Sequence, residues 1–270
     1  MALRKDESTG AGVGRSVDAS RDKGVVIYRS NFDAGFDGWT DHWSGFRPSP
    51  IVSLTHAIQM RGKRSLMLST AEGAYVSGEW SNGVDVFRRM AFYRTYRFYS
   101  YSAFFALGAG GYSAAWDSFS FYIDAQKFTS GANDRGLYQV QCQAQASPDF
   151  SRWRIINDAG TYVTVPSSTR VRTGDNENKL GFNYFRLTID QNANSGNGGY
   201  HQLQVNQNVF DLSALGAGRG AQSPQFTTNS IDDFSGGFNI GAGLSRSTTQ
   251  DGGCQLFLDD IVLNAHNEVI

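Results

Sequence analysis

At 270 residues the chain has room for one large β-sandwich with appendages, and 40% hydrophobic residues supply a sizeable core. A formal net charge of −1 leaves no basic excess to neutralise phosphates, which argues against a nucleic-acid partner. No run of about 18 apolar residues is present to span a membrane, and Met1–Gly24 lacks the apolar stretch that a Sec signal requires.

Residues 1–24 mix charges of both signs with Gly, Ser and Ala and show no hydrophobic period. Such a segment cannot offset its own ordering entropy, so it is expected to be an N-terminal arm that orders only in an assembly. Residues 25–270 read as a single domain of strands. Val25–Tyr28 is a short β-branched run, and Ser65–Ser69 carries Leu66 and Leu68 on one side. Phe92–Tyr101 is an aromatic strand with Arg94 and Arg97 within it. Ser118–Asp124 alternates, with Phe119, Phe121 and Ile123 on one face and Ser118, Ser120, Tyr122 and Asp124 on the other. Tyr138–Ala146 sets Val140, Cys142 and Ala144 against Gln139, Gln141, Gln143 and Gln145. Trp153–Ile156 and Tyr162–Val165 follow. Tyr184–Asp190 turns Phe185, Leu187 and Ile189 inward, and His201–Val205 does the same with Leu203 and Val205. Phe238–Ile240 and Gln255–Leu263 close the domain. Asn- and Gly-rich stretches such as Ala193–Gly199 supply the positive-φ positions of hairpins. The chain is therefore expected to be an all-β antiparallel sandwich.

The sequence is poor in catalytic signals. His42, His56, His201 and His266 have no metal-ligand spacing, no G-x-S-x-G elbow occurs, and the only glutamates are Glu7, Glu72, Glu79, Glu177 and Glu268. No enzyme is expected. Cys142 and Cys254 fall in strand-like stretches and read as buried free thiols, with a bridge as the alternative. The candidate binding surface is the polar side of the alternating strands. Gln139, Gln141 and Gln143 share one side of their strand, and Arg152 and Arg154 share one side of the next. Tyr122 adds an aromatic ring, and Arg186, Gln202 and Gln204 join the same polar face if their strands share its sheet. Trp80 and Trp116 lie beside small polar residues and are expected at the rim as stacking platforms, whereas Trp39 and Trp153 are expected in the core. Planar polar side chains and aromatic faces in this pattern suit a glycan, with a solvated face or a contact to a sister subunit in a homo-oligomer as the alternative readings.

Asn31-Phe32-Asp33-Ala34-Gly35-Phe36-Asp37-Gly38-Trp39 and Gln255-Leu256-Phe257-Leu258-Asp259-Asp260-Ile261-Val262-Leu263 resemble the opening and closing strands of jelly-roll carbohydrate-binding modules. Tyr184–Asp190 with Gln202–Asn206 is similar to the paired strands of concanavalin A-like sandwiches. The resemblance spans most of residues 25–265. It implies a jelly roll whose terminal strands lie side by side, with a structural calcium held by Asp33, Asp259 and Asp260. The E-x-D-x-x-E strand of concanavalin A-like glycosidases is absent. Arg94, Arg97, Tyr99 and Tyr101 match only part of the constellation of jelly-roll lyases, which lacks its Q-x-H pairing here. In overall organisation the chain also resembles minor tail proteins of phages that infect actinobacteria. That resemblance implies location in the virion, or release by a route without a Sec signal, with other virion proteins meeting the arm. The expected function is non-catalytic binding of host cell-surface glycan. A purely structural virion protein and a polysaccharide-degrading enzyme are the alternatives.

Overall fold

The computed structural model describes residues 24–41, 51–70, 83–91, 96–108, 116–129, 132–143, 152–157, 159–165, 171, 181–193, 198–215, 237–246 and 253–268. The arm, apart from Gly24, lies outside them, as do Trp43, Trp80, Arg94, Ala144 and Gln145. The described strands are, in chain order, β1 (Val25–Ser30), β2 (Thr40–Asp41), β3 (Ile51–Thr55), β4 (Ser65–Ser69), β5 (Gly83–Ala91), β6 (Phe98–Leu107), β7 (Trp116–Thr129), β8 (Ala132–Gln143), β9 (Arg152–Ile156), β10 (Tyr162–Thr164), β11 (Asn183–Asp190), β12 (Gly199–Val205), β13 (Asn208–Asp211), β14 (Gly237–Arg246) and β15 (Gln255–His266).

They form two antiparallel sheets of a jelly-roll sandwich. The first runs β13-β12-β11-β6-β15-β4-β3, and the second runs β10-β9-β8-β7-β14-β5-β2. In the first sheet, β6 follows one edge of β15 along its length. The other edge is shared end to end: β4 pairs with Gln255–Leu258, and β1 pairs with Ile261–Ala265. The two ends of the domain therefore lie side by side, as the resemblance implies. β5, β3 and β13 carry weaker sequence signals, and the aromatic strand begins at Phe98 and runs on to Leu107.

The inward faces meet in an aromatic core. Phe121 of the second sheet stacks on Phe185 of the first at 4.1 Å and 12°. Tyr101 meets both rings edge-on, and Phe119 sits edge-on against Trp153. Each ring withdrawn from water contributes about 1.5–3 kcal/mol, and offset or edge-on pairing adds to this. Leu66, Leu68, Ile123, Val140, Leu187, Ile189, Leu203 and Val205 fill the remainder, as their alternation predicts, and Trp39 and Trp153 are buried. Cys142 and Cys254 are buried and unbridged. Burial pushes both thiols well above their ordinary range, so they stay protonated.

Candidate functional site

Register fixes what lies on the outer face of the second sheet, because cross-strand partners point the same way. One row across the sheet is Asp85, Gly243, Ser120, Gln141, Arg154 and Thr164. The next is Phe87, Gly241, Tyr122 and Gln139, with Tyr162 opposite Ile156 at the far edge, where the Tyr200 hydroxyl bonds both the Gln139 and Ile156 backbones. Another pairs Ser245, Ser118, Gln143 and Arg152. The glutamines and the two arginines of the sequence reading thus stand on neighbouring strands of one face.

They form a hydrogen-bonded ladder. Arg154 Nε donates to Gln141 Oε1, Gln141 Nε2 donates to Ser118 Oγ at 2.9 Å, and Ser118 Oγ donates to Asp117 Oδ2 at 3.0 Å. The Gln143 amide, oriented by its network, accepts from Arg154 Nη1 at 2.8 Å and Nη2 at 3.2 Å. Below the guanidinium lies the Tyr162 ring, with Cζ 4.0 Å from its centroid, and the Tyr162 hydroxyl donates to Gln139 Oε1 at 3.3 Å. Burial draws the Arg154 pKa down, Tyr162 and Asp117 draw it up, and the group stays charged. Arg152 is exposed.

β14 presents Gly241 and Gly243 outward, and the Tyr122 ring lies over Gly241 so closely that a Cβ there would fall within it. Gly241→Ala is therefore expected to drive the Tyr122 ring off β14 and destabilise the fold by about 1–3 kcal/mol. Thermal melting will show whether it does, and an unchanged melting temperature would contradict this packing. The Tyr122 hydroxyl reaches the Val86 carbonyl at 3.4 Å. Burial, then Asp85 and Asp124, hold its pKa well above 10. Asn239 Nδ2 donates to Asp124 Oδ2 at 3.0 Å. Asp85 Oδ1 is buried without a hydrogen-bond partner. Burial pushes this carboxyl up to about 7, against the pull of hydrogen bonds from Tyr122 and the Val86 backbone.

The acidic residues at the domain ends clamp the 58–65 segment. Asp259 is fully buried; its Oδ2 accepts from the Met60 and Arg61 amides at 2.6 and 2.8 Å, and its Oδ1 accepts from the Asp260 amide. Asp33 accepts from the Lys63 amide and from Asn31 Nδ2. Asp260, at φ 43° where β15 changes partner from β4 to β1, pairs with Arg29 and Arg61, each at 3.1 Å. A calcium ion takes six to eight oxygens. Among the described residues, the partners that meet these carboxylates include N–H donors and guanidinium ions, and no group of three His, Cys, Asp or Glu side chains suited to a metal occurs. The arrangement fits nitrogen donors rather than a hard cation.

Two placements differ from the sequence reading. Trp116 is 3% exposed and packs edge-on against Phe119, so it belongs to the core and is not a rim platform. The cause is a bulge at Asp117: Ser118 and Trp116 face the consecutive residues Ser245 and Arg246, which shifts Trp116 to the inner face. Arg186, Gln202 and Gln204 lie on β11 and β12 of the first sheet, not on the glutamine face. Trp80 lies outside the described residues. The rim aromatic that the sequence reading missed is Tyr162, 40% exposed. Its signal was the alternation of Tyr162, Val163 and Thr164, which sets the tyrosine outward.

No protein-family model and no curated protein sequence matches the chain. Solved structures do match in shape. An endo-β-1,4-glucuronan lyase from the fungus Trichoderma reesei superposes with TM-score 0.55 at 12% identity, covering 89% of this chain and 96% of that one. A carbohydrate esterase from the Shiga toxin-encoding bacteriophage phi24B gives 0.52 at 9% identity, with 90% and 100% covered. The PL-14 alginate lyase from Aplysia kurodai gives 0.52 at 8% identity, with 89% and 99% covered. At these identities the likeness establishes the jelly-roll β-sandwich and nothing finer.

Proposed function

We propose that the outer face of the second sheet binds glycan without transforming it. The observation that carries this reading is the ladder from Ser118 through Gln141 to Arg154 and Gln143. It fixes a guanidinium at a partly exposed position, flanked by the exposed Tyr162 ring and the exposed Arg152. Sugars are recognised by such planar polar groups set beside an aromatic face. Proteins of the same fold act on glucuronan, on alginate or as a carbohydrate esterase, which is consistent with a glycan as ligand. The setting we favour is a phage tail, with the N-terminal arm meeting other virion proteins. Mass spectrometry of purified particles tests that setting.

Arg154→Ala should weaken retention on host cell walls roughly 10- to 100-fold while leaving the melting temperature within a few degrees of wild type. Loss of particle incorporation with cell-wall binding intact would instead assign the face to subunit contact. A binder should release no reducing ends and no unsaturated uronate from polysaccharide. Either product would make the protein an enzyme, with Asp85 and Tyr122 the first groups to replace.

A further inference from the structure

Resting on that reading, we infer that the ladder selects an anionic substituent of the glycan, because the hydrogen-bonding capacity it leaves over is mostly donor and is concentrated on two guanidinium groups. Gln141 uses its oxygen on Arg154 and its nitrogen on Ser118. The Gln143 oxygen is taken by Arg154, and the Gln139 oxygen by Tyr162. What remains on the ladder is one N–H on each terminal nitrogen of Arg154, the side-chain N–H₂ groups of Gln139 and Gln143 and the whole guanidinium of Arg152, against the Asp117 carboxylate and the exposed Thr164 hydroxyl opposite Arg154 as acceptors.

A neutral sugar hydroxyl both donates and accepts, and it finds little here to donate to. A carboxylate, sulfate or phosphate only accepts, and it matches this array. Asp117, the carboxylate that acts on Arg154, already takes the Ser118 proton and leaves the patch with two cations to one anion. Arg154 is pre-positioned as well, by the glutamines at its edge and the Tyr162 ring at its face. Little side-chain freedom is then lost when the ligand arrives. Tyr162 is a positioning residue for that guanidinium.

The test is binding of the intact chain to four immobilised polymers: a polyuronate, a dextran sulfate, a poly(glycerol phosphate) and a neutral β-glucan. At least one anionic polymer should bind, and the neutral glucan should bind far more weakly. Comparing the three anionic arms identifies the acidic group. Arg154→Ala and Arg152→Ala should each weaken the anionic interaction roughly 10- to 100-fold, the effect of removing a charged hydrogen bond. Arg154→Lys keeps the charge without the fork and should recover only part of the loss. Lys63→Ala removes one charge far from the ladder and should change nothing. Arg152 is exposed, so its variant folds even if another does not. Equal binding of neutral and anionic polymers, with both arginine variants at wild-type affinity, would overturn the inference and leave glycan binding standing. No binding to any polymer or to host cell walls would remove both.

Discussion

Asp259→Ala will lower stability by on the order of 3–5 kcal/mol, because it strips the partner from three main-chain amides at once. Met60, Arg61 and Asp260 all donate to this buried carboxylate. A buried amide left without an acceptor costs about 1–3 kcal/mol, and bonds to a charged acceptor lie at the upper end. In a domain of this size that corresponds to a drop in Tm of roughly 10 °C. Burial pushes Asp259 up to about 6 against these amides, so above that pH it accepts all three bonds as a carboxylate. The same melts run with and without chelator address calcium. Nitrogen donors alone predict superimposable wild-type curves and an alanine penalty of the same size in both conditions. A chelator-sensitive wild type whose sensitivity vanishes in Asp259→Ala would show that the ion is bound. A variant that melts within about 2 °C of wild type would refute the clamp itself.

Asp85→Asn will become more stable relative to wild type as pH rises from 5 to 8. In the unfolded chain this carboxyl titrates near 4, whereas in the fold burial carries it to about 7. Between those values the native state holds a proton that the unfolded state has released, so raising the pH works against folding. The penalty is absent below about pH 4, grows through the interval and is complete above about pH 7, where it reaches on the order of 4 kcal/mol. Asparagine has a similar shape and does not titrate. Subtracting the two pH–stability curves also cancels His266, whose burial-lowered pKa pulls the wild-type curve the other way at mildly acid pH. A difference that stays flat from pH 5 to 8 would mean that Asp85 ionises freely and that water reaches it beside Tyr122.

Strict alternation made parts of this molecule readable. In Ser118–Asp124 and Tyr138–Gln143 every second side chain is an aromatic, an aliphatic or the Cys142 thiol, and those faces are the inner ones. The contact of Gln141 with Arg154 was likewise within reach, since their strands are consecutive in the chain and pair antiparallel. Assigning Arg186 and Gln202 to the right sheet was not, because choice of neighbour is a long-range decision that leaves no local mark. Small polar neighbours are a poor guide to the burial of Trp116, because a single extra residue at Asp117 turns its ring to the inner face. β5 was hidden because Val84 and Val86 begin an alternation that Arg88 breaks. In the fold Arg88 is accommodated by the Gly38 carbonyl and the Tyr28 ring. Gly241 and Gly243 became meaningful only once Tyr122 was seen to lie across them.

The sharing of β15 between β4 and β1 has a mechanical corollary. Val25 sits opposite Ala265, so the chain enters and leaves the sandwich at neighbouring points on one edge. Force applied between those points strains the β1–β15 pairs one after another, as in a zipper, instead of stretching them together. The domain should peel from this corner at low tension in an optical trap, with β1 released first and the Phe121–Phe185 core intact until Ser30 has parted from Ile261.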